Sequence, residues 1–253
     1  MKSISRIVRD GLYGDWKSWL IRYSAFLAGM WIMALGIVLM IKAELGLAPW
    51  DVFHMGLAYV TPLSVGMWLQ MIGLILIVLT VWLSRRMPEP GTLLNMLLVG
   101  LFVDGILSLD VIHTPDTYWE RGLLLVSGIG LIGLGNGLYI APHVGAGPRD
   151  GLALVLAEKL QWPIGRVRTV MELSVLVWGW LLGGPVFIGT LLFSVAIGPM
   201  MQHSIQFWEK LLEERLGRGD GREDIHQGPL RAHHHDGFGR PVRGQAYRSE
   251  KRG

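Results

Sequence analysis

Two short strings carry most of the chemistry this chain can offer: GLAPWD at 46–51 and GAGPRD at 145–150. Both read Gly-x-x-Pro-x-Asp. The Gly (Gly46, Gly145) permits a sharp or left-handed turn. The Pro (Pro49, Pro148) suits the first position of a helix, where a missing N–H costs nothing. The Asp two residues on (Asp51, Asp150) accepts free first-turn N–H groups at the positive end of the helix dipole. Two compatible roles follow for these carboxylates. Each caps its own short helix, or the two helix starts converge into a polar site. Trp50 stands where the second string has Arg149. Inside a cavity that guanidinium would favour an anionic or carboxylate-bearing ligand; drawn to a membrane surface it would mark only the direction of the chain.

Other polar residues lie deep in apolar stretches: Gln70, Asn95, Asp104, Asn136 and Glu172. Ionisable groups in lipid are costly and by default suggest a pathway or a proton relay. Arg168 and Glu172 are four apart, the spacing at which two helical charges neutralise each other. Asp104 has no local partner, and His54 sits three residues after Asp51, where a carboxylate can orient an imidazole. The candidate solute- or ion-binding set is therefore Asp51, Asp150, Arg149, Trp50, Glu172, Asp104 and Asn136, with Gly46, Pro49, Gly145 and Pro148 shaping the backbone. No P-loop, G-x-S-x-G elbow, H-E-x-x-H or dinucleotide fingerprint occurs, and no nucleophile–base pair stands out. The absence of cysteine excludes a disulfide scaffold, a thiolate metal site and a Cys nucleophile. No catalytic residue, cofactor or metal site is expected. The run His233, His234 and His235 reads as low-complexity composition sooner than as a weak metal site.

The elements that must position these residues are membrane helices. The 253 residues are 51% hydrophobic and 17% charged, with mean hydropathy +0.41. Residues 1–22 hold 7 of the charged side chains and residues 209–253 hold 18, which leaves 18 for the 186 between. So charge-poor a middle cannot cover itself with a water-soluble surface. The net charge of +3 resides in the termini and gives no case for nucleic acid. Charge-poor stretches of about 20 residues, the length needed to cross a bilayer, lie at 23–41, 65–83, 92–109, 122–140, 166–182 and 186–205. Two more, at 50–60 and 150–160, are too short to cross. Each follows a Gly-x-x-Pro string and ends at another Pro, and each reads as a half-helix or re-entrant segment.

The two strings belong to an internal repeat. At an offset of 99, Gly36 matches Gly135 and Gly66 matches Gly165; at 98, Gly91-Thr92 matches Gly189-Thr190 and Gly100 matches Gly198. Each copy holds three spans, an odd number, so the second enters the membrane from the opposite side to the first. The expected fold is all-α and polytopic, with two inverted repeats of three transmembrane helices plus one short half-helix; eight full spans is the alternative. Six spans place 21 of the 23 Lys and Arg on one side, against 19 for eight spans. The positive-inside rule then sets both termini in the cytoplasm. The chain divides into a basic N-terminal segment (1–22), repeat 1 (23–109), an extracytoplasmic connector (110–120), repeat 2 (121–208) and a cytoplasmic tail (209–253). Ile4, Val8, Leu12, Trp16 and Leu20, four apart, suit a helix lying on the anionic leaflet; a solvated leader is the other reading. The tail from about Gly217 is Gly- and Arg-rich and is expected to be disordered.

With the paired strings, PEPGTLLN (88–95) and FIGTLL (187–192) in this order, the chain resembles the YczE/YyaS/YitT family of bacterial membrane proteins over roughly 24–206. Arg149 departs from that pattern, in which a Trp is expected. The resemblance implies a multi-span protein of the bacterial plasma membrane, with no agreed activity, substrate or catalytic residue to carry over. Two functions are weighed: a transporter or channel-like permease for a small solute, with its polar site at the paired strings, and a non-transporting scaffold that serves a partner enzyme through the N-terminal segment or the tail. A cavity lined by Asp51 and Asp150 would favour the first and a packed centre the second.

Overall fold

The computed structural model describes residues 16–216, which form eight α-helices. They are α1 (Trp16–Ala43), α2 (Pro49–Val60), α3 (Val65–Ser84), α4 (Pro90–Ser108), α5 (Tyr118–Ile140), α6 (Pro148–Leu160), α7 (Ile164–Leu181) and α8 (Ile188–Leu216). The start of the expected surface segment and the His run both lie outside the described residues. Two expected boundaries move. Residues 16–22 are the opening turns of α1, since no Gly or Pro follows Gly14 to break the helix there. At the other end, α8 runs on through 209–216, a stretch of Glu, Lys, Leu and Arg with no helix breaker before Gly217.

Among the described residues, five helices are long and apolar enough to cross a membrane: α1, α3, α4, α5 and α8. The sixth expected span, α7, has 18 residues but carries Arg166, Arg168 and Glu172. At 1.5 Å per residue α2 and α6 reach only about 18–20 Å. Outward-facing Leu74, Ile75, Val78, Trp82, Trp178, Trp180 and Val195 are exposed, an apolar and aromatic belt that suits lipid. This is a membrane protein.

The core is an antiparallel crossing of α1 and α5, the most extensive helix pair. It closes on glycines. A Cβ at Gly29 would lie 2.9 Å from the Gly135 carbonyl oxygen, and one at Gly36 would lie 2.7 Å from that of Gly128. Without side chains at these points the backbones meet directly, which maximises dispersion contact in a setting where hydrophobic exclusion supplies little. Phe26, Met30, Val38 and Met40 fill the remainder of the crossing and are fully buried. Around it, α4 packs on α1 and α8 on α5, while α2 packs on α7 and α3 on α6.

Ion pairs identify the two ends of the bundle. At one, Lys42 meets Asp110 at 3.2 Å and Arg121 meets Glu44 at 3.0 Å. At the other, Arg22 donates to the Pro142 carbonyl at 3.2 Å and His143 lies 3.4 Å from Glu209. Helix α3 begins near the first end, beside Asp104 of α4. It runs antiparallel to α4, so Arg85 and Arg86 belong to the same end as Arg22.

Asp104 takes a structural position. Ser64, the N-cap of α3, donates from Oγ to Asp104 Oδ2, and the Gly66 N–H donates to Oδ1 at 2.8 Å. The carboxylate therefore caps a helix start from a neighbouring helix. Asp104→Ala is expected to lower stability by about 1–2 kcal/mol, read as a fall in the thermal unfolding midpoint in detergent; an unchanged midpoint would remove the capping role.

Candidate functional site

The chain leaves α1 through Glu44, with φ 54, and turns at Gly46, with φ 106, a conformation glycine takes freely. α2 then opens on Pro49. In the second half the chain leaves α5 through His143, with φ 53, and α6 opens on Pro148. Both helices therefore start at the Pro that the sequence marks. Neither Asp51 nor Asp150 caps its own helix: among the described residues no side-chain cap bond is made at either start.

Both starts open on one cavity of about 160 Å³. Trp50, Asp51, Arg149, Asp150, Asn136 and Glu172 all line it, so of the seven candidate binding residues only Asp104 lies elsewhere. The two strings touch: the Arg149 guanidinium lies 5.8 Å from the Trp50 ring centroid, a cation–π contact. Arg149 thus belongs to the cavity rather than to the surface alone.

The two carboxylates sit in different surroundings. Asp150 accepts from Arg168 Nη2 at 2.8 Å and from the Tyr139 hydroxyl at 3.4 Å. The expected i,i+4 pairing of Arg168 with Glu172 is therefore replaced by a bond across helices, from α7 to α6. Asp51 is 6% exposed, and its nearest ionic neighbour is His54 Nδ1 at 3.7 Å, too long for a hydrogen bond. His54, 3% exposed, and Asn95, 7% exposed, also line the cavity, and His54 Nδ1 and Asn95 Nδ2 are buried without a hydrogen-bond partner. Buried polar atoms left unpaired cost about 1–3 kcal/mol each and call for an explanation.

Arg168, His54 and Asn95 are the site residues that the candidate set lacks. His54 was legible from its spacing to Asp51. Asn95 showed itself only as a polar residue inside a span. Arg168 was masked by the closer Glu172, and only tertiary packing reveals its partner. Wide apolar walls, among them Met33, Ile37, Leu76, Val99 and Ile132, complete the cavity. Such a lining can hold a small solute by shape and a few convergent polar groups.

The model of a family of unknown function, DUF6198, matches residues 20–206. The chain is 36% identical over 199 residues to the uncharacterized membrane protein YczE of Bacillus subtilis (strain 168), covering 78% of this chain and 92% of the relative. It is 32% identical over 215 residues to an uncharacterized protein of Haemophilus influenzae, covering 83% and 97%. Over 187 residues it is 33% identical to the uncharacterized protein YyaS of Bacillus subtilis, covering 72% and 90%. No solved structure matches the chain. With nearly the whole helical body inside the family match, the chain belongs to the DUF6198 family, as the paired strings and the Gly-Thr segments foretold.

Proposed function

We propose that the protein is a small-solute permease of the bacterial plasma membrane, non-enzymatic, and built as two inverted copies whose half-helices meet at its binding site. The observation that carries this is the single cavity onto which both Gly-x-x-Pro-x-Asp helices open. A packed centre would have suited the scaffold reading.

The inverted relation is supported by contacts that exchange under the repeat offset. Gly29 approaches Gly135, and the positions 99 residues on and back, Gly128 and Gly36, approach each other in turn. At Gly189 a Cβ would meet the Leu45 carbonyl oxygen at 2.6 Å; at its counterpart Gly91 it would meet that of Val144 at 2.4 Å. The cavity wall is paired in the same way: Trp50 with Arg149, Asp51 with Asp150, His54 with Ala153 and Leu69 with Arg168. Because α1 and α5 correspond and run antiparallel, the axis that exchanges them lies across the helices, in the plane of the membrane. The short helices then dip in from opposite faces. The end holding Arg22, Arg85 and Arg86 faces the cytoplasm by the positive-inside rule, with both termini on that side.

The halves also differ in access. Asp51 and His54 are buried, whereas Arg149 is exposed and Asp150 partly so. An exchange of these two environments would turn the cavity toward the opposite face, the motion that inverted repeats make available. The test is flux into proteoliposomes offered mixed labelled pools of amino acids, carboxylates and organic cations. Wild type is expected to move at least one pool, and Asp51→Asn and Asp150→Asn to slow that flux roughly 10-fold or more. Wild-type flux equal to that of empty vesicles for every pool would remove the reading.

A further inference from the structure

The cavity wall holds unspent charge of both signs. Asp150 and Arg168 pair with each other through Nη2, while Arg168 Nε is buried without a partner. Among the described residues, neither Arg149 nor Glu172 makes a hydrogen bond or ion pair, and Asp51 has only His54 at 3.7 Å. Arg149 therefore offers guanidinium donors, and the unpartnered Asn95 Nδ2 offers two more N–H groups from α4. Asp51 and Glu172 offer carboxylate acceptors, and His54 Nδ1 offers one further polar atom.

We infer that the cavity takes a compact zwitterion, a small amino-acid-like solute with one carboxylate and one ammonium group. It would set its carboxylate on Arg149 and Asn95 and its ammonium on Asp51, Glu172 and His54. The naming of this ligand class deepens the permease reading and rests on it for the setting of the site.

Net charge alone would favour a cation; the pairing of individual groups separates the zwitterion from its halves. With Asp51, Asp150 and Glu172 against Arg149 and Arg168, carboxylates outnumber guanidinium groups on the wall by one. A bare anion would add to that excess and leave Asp51 and Glu172 unmatched. A bare cation would leave Arg149 unmatched, and Arg149 already covers the aromatic face of Trp50 on which a cation could settle. A zwitterion gives the free carboxylates an ammonium and the free guanidinium a carboxylate, so each sign of charge meets a counterpart. The cavity volume of about 160 Å³ limits the ligand to small members of the class.

Binding is read without transport. The purified full-length chain in nanodiscs is heated with glycine, alanine or serine, with acetate or propionate, and with methylammonium or ethylammonium, each at 10-fold steps of concentration. At least one zwitterion should raise the unfolding midpoint in a saturable way, by about 5–11 °C near 100 times its dissociation constant, while matched half-molecules leave it within error. Arg149→Gln and Asp51→Asn should each abolish that rise. Each variant's own unliganded midpoint shows that it is folded, and the milder Arg149→Lys should retain a weakened response. A rise with acetate or methylammonium equal to that with the zwitterions, no rise with any zwitterion, or a response that survives both substitutions would overturn the inference. If a zwitterion stabilises the protein but no solute pool crosses the vesicle, the permease reading falls and this one stands.

Discussion

Gly135→Val should leave almost no folded protein to purify. Position 135 lies in the α1–α5 crossing, where even a Cβ would come within 2.6 Å of the Met33 backbone nitrogen and 2.7 Å of the Gly29 carbonyl oxygen. Both obstacles are backbone, so no rotamer change relieves them. Ordinary overpacking of a core costs about 1–3 kcal/mol; prying two helices apart along their main seam adds lost contact over its length, for an expected total above about 4 kcal/mol. Against a net stability of roughly 5–15 kcal/mol, that removes most of the margin at the lower end of the range. Gly130, five residues away on the same helix, would have no neighbouring atom within 4 Å of an added Cβ. Gly130→Ala should therefore melt at or slightly above the wild-type midpoint. Fluorescence-detected size exclusion followed by thermal unfolding reads both. A Gly135→Val protein that is monodisperse and melts within a few degrees of wild type would mean that α1 and α5 do not touch as described.

The second large effect is expected at the Asp150–Arg168 bond. Arg168→Gln leaves Asp150 as a carboxylate within the protein without its cation. The side chains are 28% and 39% exposed, so the cost is set below that of a fully buried pair, at about 1–3 kcal/mol. The double variant Asp150→Asn/Arg168→Gln should recover most of this loss, because no lone charge remains. A double-mutant cycle in unfolding free energy should thus give a coupling of about 1 kcal/mol or more. The same cycle with Glu172→Gln in place of Asp150→Asn should be additive. Comparable coupling to Glu172 would restore the local pairing suggested by the four-residue spacing and detach Arg168 from the site.

That pairing shows where reading the chain alone runs out. Helical spacing identifies neighbours on one helix, and Arg168 and Glu172 satisfied the rule. Nothing local says that Asp150, 18 residues earlier, comes closer once α6 and α7 fold together. Asp104 repeats the lesson, since its partners Ser64 and Gly66 lie 40 and 38 residues away. What was legible depends on strong local physics. Pro49 and Pro148 fix helix starts through backbone geometry, and the structure begins α2 and α6 there. Runs of apolar residues set α3 at Val65–Ser84, one residue longer than the expected 65–83. The outer ends of α1 and α8 were less legible, because amphiphilic residues such as Trp16, Trp19 and Glu209 sit as readily on a continuing helix as on a surface segment. For the same reason α7, with three charges, reads as a span by length and falls short by composition.

Most of the cavity was foreseeable as a set of residues but not as an electrostatic arrangement. Asp51 and Asp150 occupy equivalent positions in the two strings, yet one faces the permanent charge of Arg168 and the other the imidazole of His54. The residues 99 positions away from those partners are Leu69 and Ala153, so the two strings differ in what surrounds a shared carboxylate.

The bond between the turn before α2 and the start of α8 also bears on how the protein is made. The N–H of Gly189 donates to the carbonyl of Leu45 at 2.7 Å, and Gly179 of α7 seats the backbone at Val52 and Phe53. A nascent chain emerging from the ribosome reaches Leu45 long before either glycine exists. Until α8 is synthesised, the Leu45 carbonyl lacks its donor, and an unpaired carbonyl is costly in hydrocarbon. A chain that ends before α7 and α8 should therefore hold this segment nearer water than the finished protein does.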